Sequence, residues 1–416
     1  MKRFLCVFLA AVSVAALGFA QELKFDGYVN SGFGLWTSDE KGKDDPMVMA
    51  YGVDSERYIG RFRLNGAYTN EDKTAGINFR LQVQGRGFAP SSTLTTSTYT
   101  KSGSDPSESH NHTVSVTTGY PVNTPSLAFG YGWVKLLDMI TIKAGLVDDS
   151  TWRTADYIYN DSQSEGAGLL VRITPVTGLD IGAGGYVATY NSGSNNNFLG
   201  VSLPSQIKME DAKYTINAAY TMDKVFRFMV SGRTFNKTGG DSKYNRSHAL
   251  AELRILAVDG LTAIVVGEMD NLHDDKANKD MNFYETFGYK MGDLGLGLNA
   301  AQYIRNLPEG SKAKNDLSVW INPWVSYALS EGVVVPRLDV VYFMGGNQDG
   351  QNYHRRGFAP NYDSEISVIN ARPSIKINVD SRASFEIGDS FYYYQPGKDI
   401  DAVMTNVVYA DLVVRF

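Results

Sequence analysis

A regular alternation of apolar and polar side chains is the feature that most constrains how this chain folds. In the segment Ala75–Gly85, the apolar residues Ile77 and Phe79 are separated by Asn78 and followed by Arg80, and the alternation continues to the end of the segment. A β-strand places successive side chains on opposite faces of its sheet, so this segment predicts an amphipathic strand. Similar segments recur along most of the chain, which predicts an all-β fold.

The lengths of the connections between these segments alternate as well. Long polar stretches, such as 87–126 and 148–165, are separated by short connections. The predicted tight turns are 70–74, 136–139, 175–178, 221–224, 259–260, 291–293, 330–332 and 380–382. Short turns at one end and long loops at the other are typical of bacterial transmembrane barrels. The sequence therefore predicts an antiparallel transmembrane β-barrel of about 16–18 strands, with short periplasmic turns and long extracellular loops.

Closure of such a barrel follows from the physics of strands in lipid. A strand in hydrocarbon cannot leave its backbone N–H and C=O groups unpaired, and a closed sheet has no edge strands. A soluble β-sandwich or solenoid would share the alternation but would bury its apolar faces in one core. We keep it as the alternative fold.

Three prolines disturb the pattern in the last third of the chain. Pro323, Pro336 and Pro373 fall inside predicted strands, where each removes one backbone donor from the ladder. We expect them to mark bulges or strand ends, or a shift of the predicted strand boundaries.

The first 20 residues have the layout of a secretory signal. Lys2 and Arg3 precede an apolar stretch over 4–16, and the small residues before Ala20 provide a cleavage site. The lone cysteine, Cys6, lies in this stretch, so the mature chain is expected to have no disulfide and no thiolate metal ligand. We therefore expect residues 1–20 to be cleaved and residues 21–416 to form a single outer-membrane barrel domain.

Charge and motif content argue against several function classes. Without Lys2 and Arg3 the chain has 37 basic and 45 acidic residues, which disfavours nucleic-acid binding. The sequence has no hydrolase elbow, zinc-protease pair or phosphate-binding loop, so no catalytic residue, metal or cofactor is expected. The run 182–185 (Gly-Ala-Gly-Gly) superficially suggests a nucleotide loop. Because this run lies within an alternating strand, we interpret it as small lumen or packing residues.

The last strand carries a more specific pattern. Its apolar face ends at the C-terminal aromatic residue, while Asp411 and Arg415 lie on the other face. The residues of the apolar face are Met404, Val408, Ala410, Leu412, Val414 and Phe416. This strand resembles the C-terminal signal by which bacterial outer-membrane barrels are recognised and inserted. The resemblance implies an outer-membrane location, surrounding membrane lipid, and recognition of Phe416 by the barrel assembly machinery.

Three further segments resemble known outer-membrane proteins. Residues 129–135 (Phe-Gly-Tyr-Gly-Trp-Val-Lys) and 140–146 (Ile-Thr-Ile-Lys-Ala-Gly-Leu) look like the paired fourth and fifth strands of bacterial general porins. The N-terminal segment 25–30 (Phe-Asp-Gly-Tyr-Val-Asn) is similar to spirochaetal outer-membrane proteins. The porin resemblance implies that the loop around 148–165 folds into the barrel and narrows the pore. The same resemblance leaves open that the chain assembles as a homotrimer.

The same resemblance implies a constriction between this acidic loop and a basic wall on the second and third strands. The predicted constriction residues are Arg61, Arg63, Arg80, Asp148, Asp149 and Asp156. Ions passing between the two would feel a transverse electric field, strengthened by the low-dielectric walls. The alternative is that the loop acids are ordinary solvated residues and that the arginines only hydrate the lumen.

The sequence thus predicts a porin-like channel for passive diffusion of ions and small hydrophilic solutes, and not an enzyme. Basic residues exceed acidic ones on the predicted inward faces, so a mild anion preference is expected. Trp320 and Trp324 are predicted on one inward face, where they could stack on sugars. A register shift at Pro323 would place them instead in the membrane-interface belt, and we favour that interpretation. The alternative function is a surface barrel without a channel, an adhesin or structural protein acting through loops such as 87–126.

Overall fold

The structure is a computed structural model, and it describes residues 22–39, 46–51, 60–85, 99–100, 111–112, 126–148, 165–187, 197–198, 201–202, 213–235, 246–270, 281–305, 316–345, 366–395 and 402–416. Within these ranges, 18 long strands form the wall of one closed antiparallel barrel. In chain order they are β1 (Glu22–Ser38), β2 (Gly60–Thr69), β3 (Ala75–Gly85), β4 (Ser126–Leu136), β5 (Ile140–Asp148), β6 (Glu165–Val176), β7 (Leu179–Val187), β8 (Lys213–Met222), β9 (Phe226–Phe235), β10 (Arg246–Ile255), β11 (Leu261–Asp270), β12 (Met281–Met291), β13 (Leu294–Arg305), β14 (Asp316–Tyr327), β15 (Val334–Gly345), β16 (Ile366–Asn378), β17 (Ala383–Gln395) and β18 (Val403–Arg415). The predicted all-β barrel is confirmed, at the upper end of the predicted strand number.

The barrel closes between its first and last strands. β1 pairs with β18 from Tyr28 opposite Arg415 to Ser38 opposite Thr405, and its other side pairs with β2. Above β2, the short strand Met47–Tyr51 continues the wall along β1. The described strands form no β-sandwich, because the ladder of neighbouring strands returns to its start.

Tight turns join alternate strand pairs at one end of the barrel, and all eight lie where the sequence predicts them. In the β2–β3 turn, the side-chain oxygen of Asn70 accepts hydrogen bonds from the backbone N–H of Thr74 and Ala75, at 2.8 and 2.9 Å. The described chain also begins and ends at this end of the barrel. Glu22 lies opposite Thr69, beside that turn. An even number of strands places the first and last strand ends at the same end of the barrel as the short turns.

Two small hairpins stand apart from the wall. Residues 99–100 pair with 111–112, and residues 197–198 pair with 201–202. The predicted signal segment 1–20 and the interior of the predicted loop 148–165 lie outside the described residues.

The three prolines correct a sequence expectation. Pro323, Pro336 and Pro373 lie inside β14, β15 and β16 and mark neither bulges nor strand ends. The ladder between β14 and β15 skips two positions after Ile321 but resumes at Trp324 in unchanged register. A missing N–H therefore interrupts a ladder without moving its strands, because the neighbouring hydrogen bonds still fix the register.

The two faces of the wall differ as the alternation predicts. Large apolar side chains such as Phe33, Ile216 and Ile375 point outward and are exposed, Ile216 to 64%. Alternating with them, polar residues such as Asn217 and Asn370 point inward. Among the described residues, no helix is long and apolar enough to cross a membrane.

Candidate functional site

Four basic residues on neighbouring strands line one side of the lumen. This basic arc consists of Arg63 on β2, Arg80 on β3, Lys143 on β5 and Arg172 on β6. Each occupies the inward-facing set of its strand, and each side chain is only partly buried. Water therefore reaches this side of the lumen.

Aromatic rings and amides hold the first two members of the basic arc. The Arg63 guanidinium lies 5.7 Å from the centre of the Tyr28 ring. The Arg80 guanidinium lies 4.9 Å from the Phe129 ring centre, and its Nε donates to Asn65 Oδ1 at 2.7 Å. Such contacts orient a guanidinium while leaving its charge in place.

The other two members have different partners. Lys143 Nζ lies 5.0 Å from the centre of the Tyr131 ring, whose hydroxyl accepts a hydrogen bond from Asn78 at 3.2 Å. Arg172 donates from Nε and Nη2 to one carboxylate oxygen of Asp180, at 2.9 and 2.6 Å. The Arg172 side chain is still 40% exposed, so this pair faces solvent.

Two further inward-facing clusters combine one acid with two arginines. Glu252 accepts from Arg227 and lies 3.3 Å from Arg254 Nη2. The second cluster is centred on a carboxylate of β15. Each cluster keeps an excess positive charge because one carboxylate neutralises only one of its two guanidinium groups.

The carboxylate of the second cluster is Asp339. It accepts from Arg337 Nε at 2.6 Å and from Arg337 Nη2 at 2.9 Å, and Arg372 Nη2 lies 3.4 Å away. Asn322 Nδ2 adds a longer contact of 3.5 Å to the same carboxylate.

The inner faces of the strands on the other side of the lumen carry large buried side chains. Tyr284 on β12, Trp320 on β14, Phe343 on β15 and Tyr392 on β17 all point inward, and none is more than 2% exposed. They belong to one continuous buried cluster that runs from β8 to β18. The same inner faces also carry the two acid–arginine clusters, in which the Arg337 side chain is 40% exposed.

The predicted constriction residues are only partly described. Arg63 and Arg80 lie inward, and the backbone of Arg61 lies opposite Asn30 and Gln84. The backbone of Asp148 lies at the end of β5, opposite Glu165. Asp149 and Asp156 lie outside the described residues, so the constriction stays a prediction.

Both predicted tryptophans face the lumen, so the register shift toward the membrane interface is not observed. Trp320 is 2% exposed. The Arg337 guanidinium lies 4.5 Å from the centre of the Trp324 ring. Trp324 also rests on Gly297, where an added Cβ would come within 2.2 Å of the indole ring. Sugar stacking by these rings stays a prediction.

The C-terminal residue pairs within the wall. Phe416 exchanges two backbone hydrogen bonds with Gly27, at 2.9 and 3.0 Å. Its ring points outward and stacks on Phe62 with ring centres 6.3 Å apart. Phe416 therefore belongs to the outward aromatic surface at the turn end, and its role as an assembly signal stays a prediction.

Sequence reasoning gave no lumen role to Lys143, Tyr131 or Asn65. The signal was available, because Lys143 alternates with Ile142 and Ala144 on β5. No local pattern could reveal that Lys143 meets Tyr131, since that contact depends on the register between β4 and β5. Among the described residues, no group of three or more His, Cys, Asp or Glu side chains could hold a metal ion.

Comparison with known proteins shows which solved structures share this fold. No family model matches this sequence, and no curated protein sequence is similar to it. Among solved structures, OpdK from Pseudomonas aeruginosa with vanillate has a TM-score of 0.53 at 11% identity, covering 95% of this chain and 99% of that one. OccAB3 from Acinetobacter baumannii has a TM-score of 0.53 at 10% identity, covering 95% of this chain and all of that one. OpdK is described as an outer membrane protein, and a further structure of it gives a TM-score of 0.52. This chain therefore has the fold of bacterial outer-membrane porins.

Proposed function

We propose that this chain is an outer-membrane porin-like channel through which ions and small hydrophilic solutes diffuse, with a mild preference for anions. The observation that carries the proposal is the basic arc on one side of the lumen. Its four side chains are only partly buried, so water and ions reach fixed positive charges there. An aqueous path beside fixed positive charges attracts anions and repels cations.

Charge balance on the inner wall supports the anion preference. The two clusters around Glu252 and Asp339 each pair one acid with two arginines. Low-dielectric walls focus the resulting field into the lumen, and salt at 0.1 M screens it largely beyond about 10 Å. The predicted constriction between Arg61, Arg63 and Arg80 and the loop around 148–165 would strengthen this field. That constriction is part of the proposal.

Ion selectivity in planar bilayers tests the proposal. Stepwise conductance is expected, with a reversal potential in a salt gradient that indicates anion preference. The variant Arg63→Gln with Arg80→Gln should shift the reversal potential toward cations, because two lumen charges are lost. Arg382→Gln is the matched control, since Arg382 lies in the exposed β16–β17 turn. A cation-selective wild type would contradict the anion preference.

The same recording separates the channel from the alternative function. A surface barrel that acts as an adhesin or structural protein through its loops predicts correctly folded protein without stepwise current. The porin structures with the same fold support the channel and a non-enzymatic role, but at 10–11% identity they support it through the fold alone.

Location, partners and assembly complete the proposal. We propose cleavage of residues 1–20, recognition of Phe416 by the barrel assembly machinery, and insertion into outer-membrane lipid. We also propose a homotrimer. On the outward face, Gln302 donates to Glu285 at 3.2 Å, a polar pair that a subunit contact would shield from hydrocarbon. The similarity of segment 25–30 to spirochaetal proteins stays a prediction.

A further inference from the structure

A row of inward positions on β6 to β9 contains polar side chains that the proposed ion path does not use. A row here means inward residues directly opposite one another on neighbouring strands. Arg172 lies opposite Gly182, Gly182 opposite Asn217, and Asn217 opposite Ser231. Thr215 lies on the same face of β8 as Asn217, two residues away, opposite Gly184. We name Thr215, Asn217 and Ser231 the hydroxyl–amide patch.

The hydroxyl–amide patch is buried and its polar atoms lack partners. Asn217 is 2% exposed, Thr215 4% and Ser231 5%. In the part of the chain that the structure describes, Thr215 Oγ1, Ser231 Oγ and both Asn217 side-chain polar atoms make no hydrogen bond. Buried polar groups are nearly always paired, and an unpaired one loses its hydration without compensation. Four such atoms on two adjacent strands point to a ligand that supplies the missing bonds.

The atoms of the patch define the chemistry of that ligand. The Asn217 amide contributes one group that only donates and one oxygen that only accepts, and the two hydroxyls do both. A carboxylate or inorganic anion can only accept, so it would leave the amide oxygen unpaired. An ammonium group can only donate. An alcohol hydroxyl does both, so a neutral polyhydroxylated solute matches the whole patch.

The side chains that the structure describes around the patch favour a compact neutral solute. Gly182 contributes no side chain between Arg172 and Asn217, so only backbone separates them within the row. The neighbouring Arg172 is already paired with Asp180. Met229, fully buried beside the patch on β9, is an apolar neighbour suited to the C–H surface of a sugar or polyol. The ring or carbon chain would lie across strands spaced about 4.8 Å apart.

We propose that the hydroxyl–amide patch is a binding site on the inner wall for a small neutral polyhydroxylated solute, a sugar or an acyclic polyol. The site goes beyond the proposed ion path. It is separate from Trp320 and Trp324, which lie on β14. Glucose is a cyclic sugar and sorbitol is an acyclic polyol with similar hydroxyl groups, so comparing them shows which of the two classes the site prefers.

Solute-dependent interruption of single-channel current tests the site with the full chain in planar bilayers. The probes are glucose, sorbitol and triethylene glycol dimethyl ether, which is of similar size but carries only acceptors. Wild type should bind glucose or sorbitol at least about tenfold more tightly than the ether, because only the alcohols satisfy donors and acceptors together. Equal apparent affinity for all three probes would overturn the site.

Variants then assign the effect to the patch. Asn217→Leu keeps a similar volume and removes both amide atoms, so the ratio of glucose or sorbitol affinity to ether affinity should fall about tenfold. Ser231→Ala serves if Asn217→Leu does not fold, as judged by heat-modifiable electrophoretic mobility. Thr221→Val, an inward residue on the same strand β8, is the matched control and should leave the ratio unchanged. A ratio in the folded patch variants equal to that of wild type would contradict the inference.

Calorimetry tests the binding site independently of whether the protein conducts ions. Titration of glucose and sorbitol into the detergent-solubilised full chain measures binding without conduction. Binding that is lost in Asn217→Leu supports the site even where no current is seen. Conductance without such binding supports the channel and overturns the site.

Discussion

At the scale of single residues, the packing of Trp324 shows how small neighbours shape the lumen wall. Its indole ring lies over Gly297 and Gly295 of β13, and the Arg337 guanidinium lies 4.5 Å from the ring centre. Glycine leaves the inner face of the strand flat at these positions, so a large ring fits directly against the backbone. The ring in turn positions Arg337 beside Asp339.

Replacing Gly297 by alanine tests this packing. The new Cβ would lie 2.2 Å from the Trp324 ring, so the ring must move or the strand must shift. We expect a loss of about 1–3 kcal/mol in the free energy of unfolding, with altered tryptophan fluorescence. Gly132→Ala is the control, because its Cβ would meet no described atom closer than 3.9 Å. Denaturant titration of both variants in detergent measures the difference, and equal stabilities would refute the packing argument.

Asp380 fixes the β16–β17 turn through its ionised carboxylate. One carboxylate oxygen accepts from the backbone N–H of Arg382 at 2.6 Å and of Ala383 at 2.7 Å. These backbone hydrogen bonds, that from Arg382 first, hold the pKa of Asp380 below its ordinary value of 3.8. A pKa lowered by folding contributes stability above the unfolded value, and that stability is lost as pH falls through the folded value.

The pH dependence of stability therefore tests the contribution of the ionised Asp380 carboxylate. Asp380→Ala should be less stable than wild type at neutral pH, and the difference should shrink as pH falls below about 3.8. Asp380→Asn keeps the accepting oxygen without titrating, so its stability should not acquire this dependence. Thermal unfolding measured from pH 7 to pH 3 compares the three proteins. A constant difference between wild type and Asp380→Ala across this range would contradict the role of ionisation.

At the scale of elements, the seam between β1 and β18 closes the barrel. Asn30 on β1 donates to Asp411 on β18 at 2.6 Å, and both side chains are at most 2% exposed. A buried hydrogen bond to a carboxylate is stronger than one between neutral groups. It links residues that are 381 positions apart, so it exists only in the closed barrel.

A double-mutant cycle with Asn30→Ala and Asp411→Ala measures this link. We expect a coupling free energy of about 1.5–3 kcal/mol from denaturant unfolding in detergent micelles. The pair Ser38→Ala and Thr405→Ala, nearer the loop end of the same seam, is the control, because its neutral hydroxyls are 3.3 Å apart in a contact that is only partly buried. Additive effects of the Asn30 and Asp411 variants would argue against the seam contact.

At the scale of the whole molecule, the outward surface is suited to contact with lipid. Exposed apolar side chains cover the outer face on every side of the barrel, for example Ile77 on β3, Ile216 on β8, Leu296 on β13 and Ile387 on β17. A soluble protein of this size would bury such residues in a core. The barrel instead exposes them and turns its polar set toward the lumen.

Introducing the same charge on the two faces tests this assignment. Ile216→Arg places a cation on the outer face in the middle of β8 and should cost about 2–4 kcal/mol of folding free energy in a lipid bilayer. Thr69→Arg places it on the inner face opposite Glu22 and should change stability little. Folding into lipid vesicles in urea measures both variants. Equal costs on the two faces would contradict a lipid-facing outer surface.

The sequence by itself determined the features that depend on neighbouring residues in the chain. Period-two alternation assigned residues such as Arg63 and Arg80 to the inward face, and the turns followed from short polar connections. These are local properties, because a strand alternates its faces whatever it pairs with. The fold class and the eight tight turns were predictable for this reason.

Only the tertiary structure decided which residues become neighbours across strands. The strand count of 18, the unbroken register at the prolines and the closed seam through Asn30 and Asp411 depend on pairing across the whole barrel. The same pairing brings Gly182, Asn217 and Ser231 into one row and gathers the basic arc on one side of the lumen. Local alternation in the sequence determines which face of the sheet a residue occupies. Which residues become neighbours across strands depends on the register, and that register is set by hydrogen bonds between separate strands.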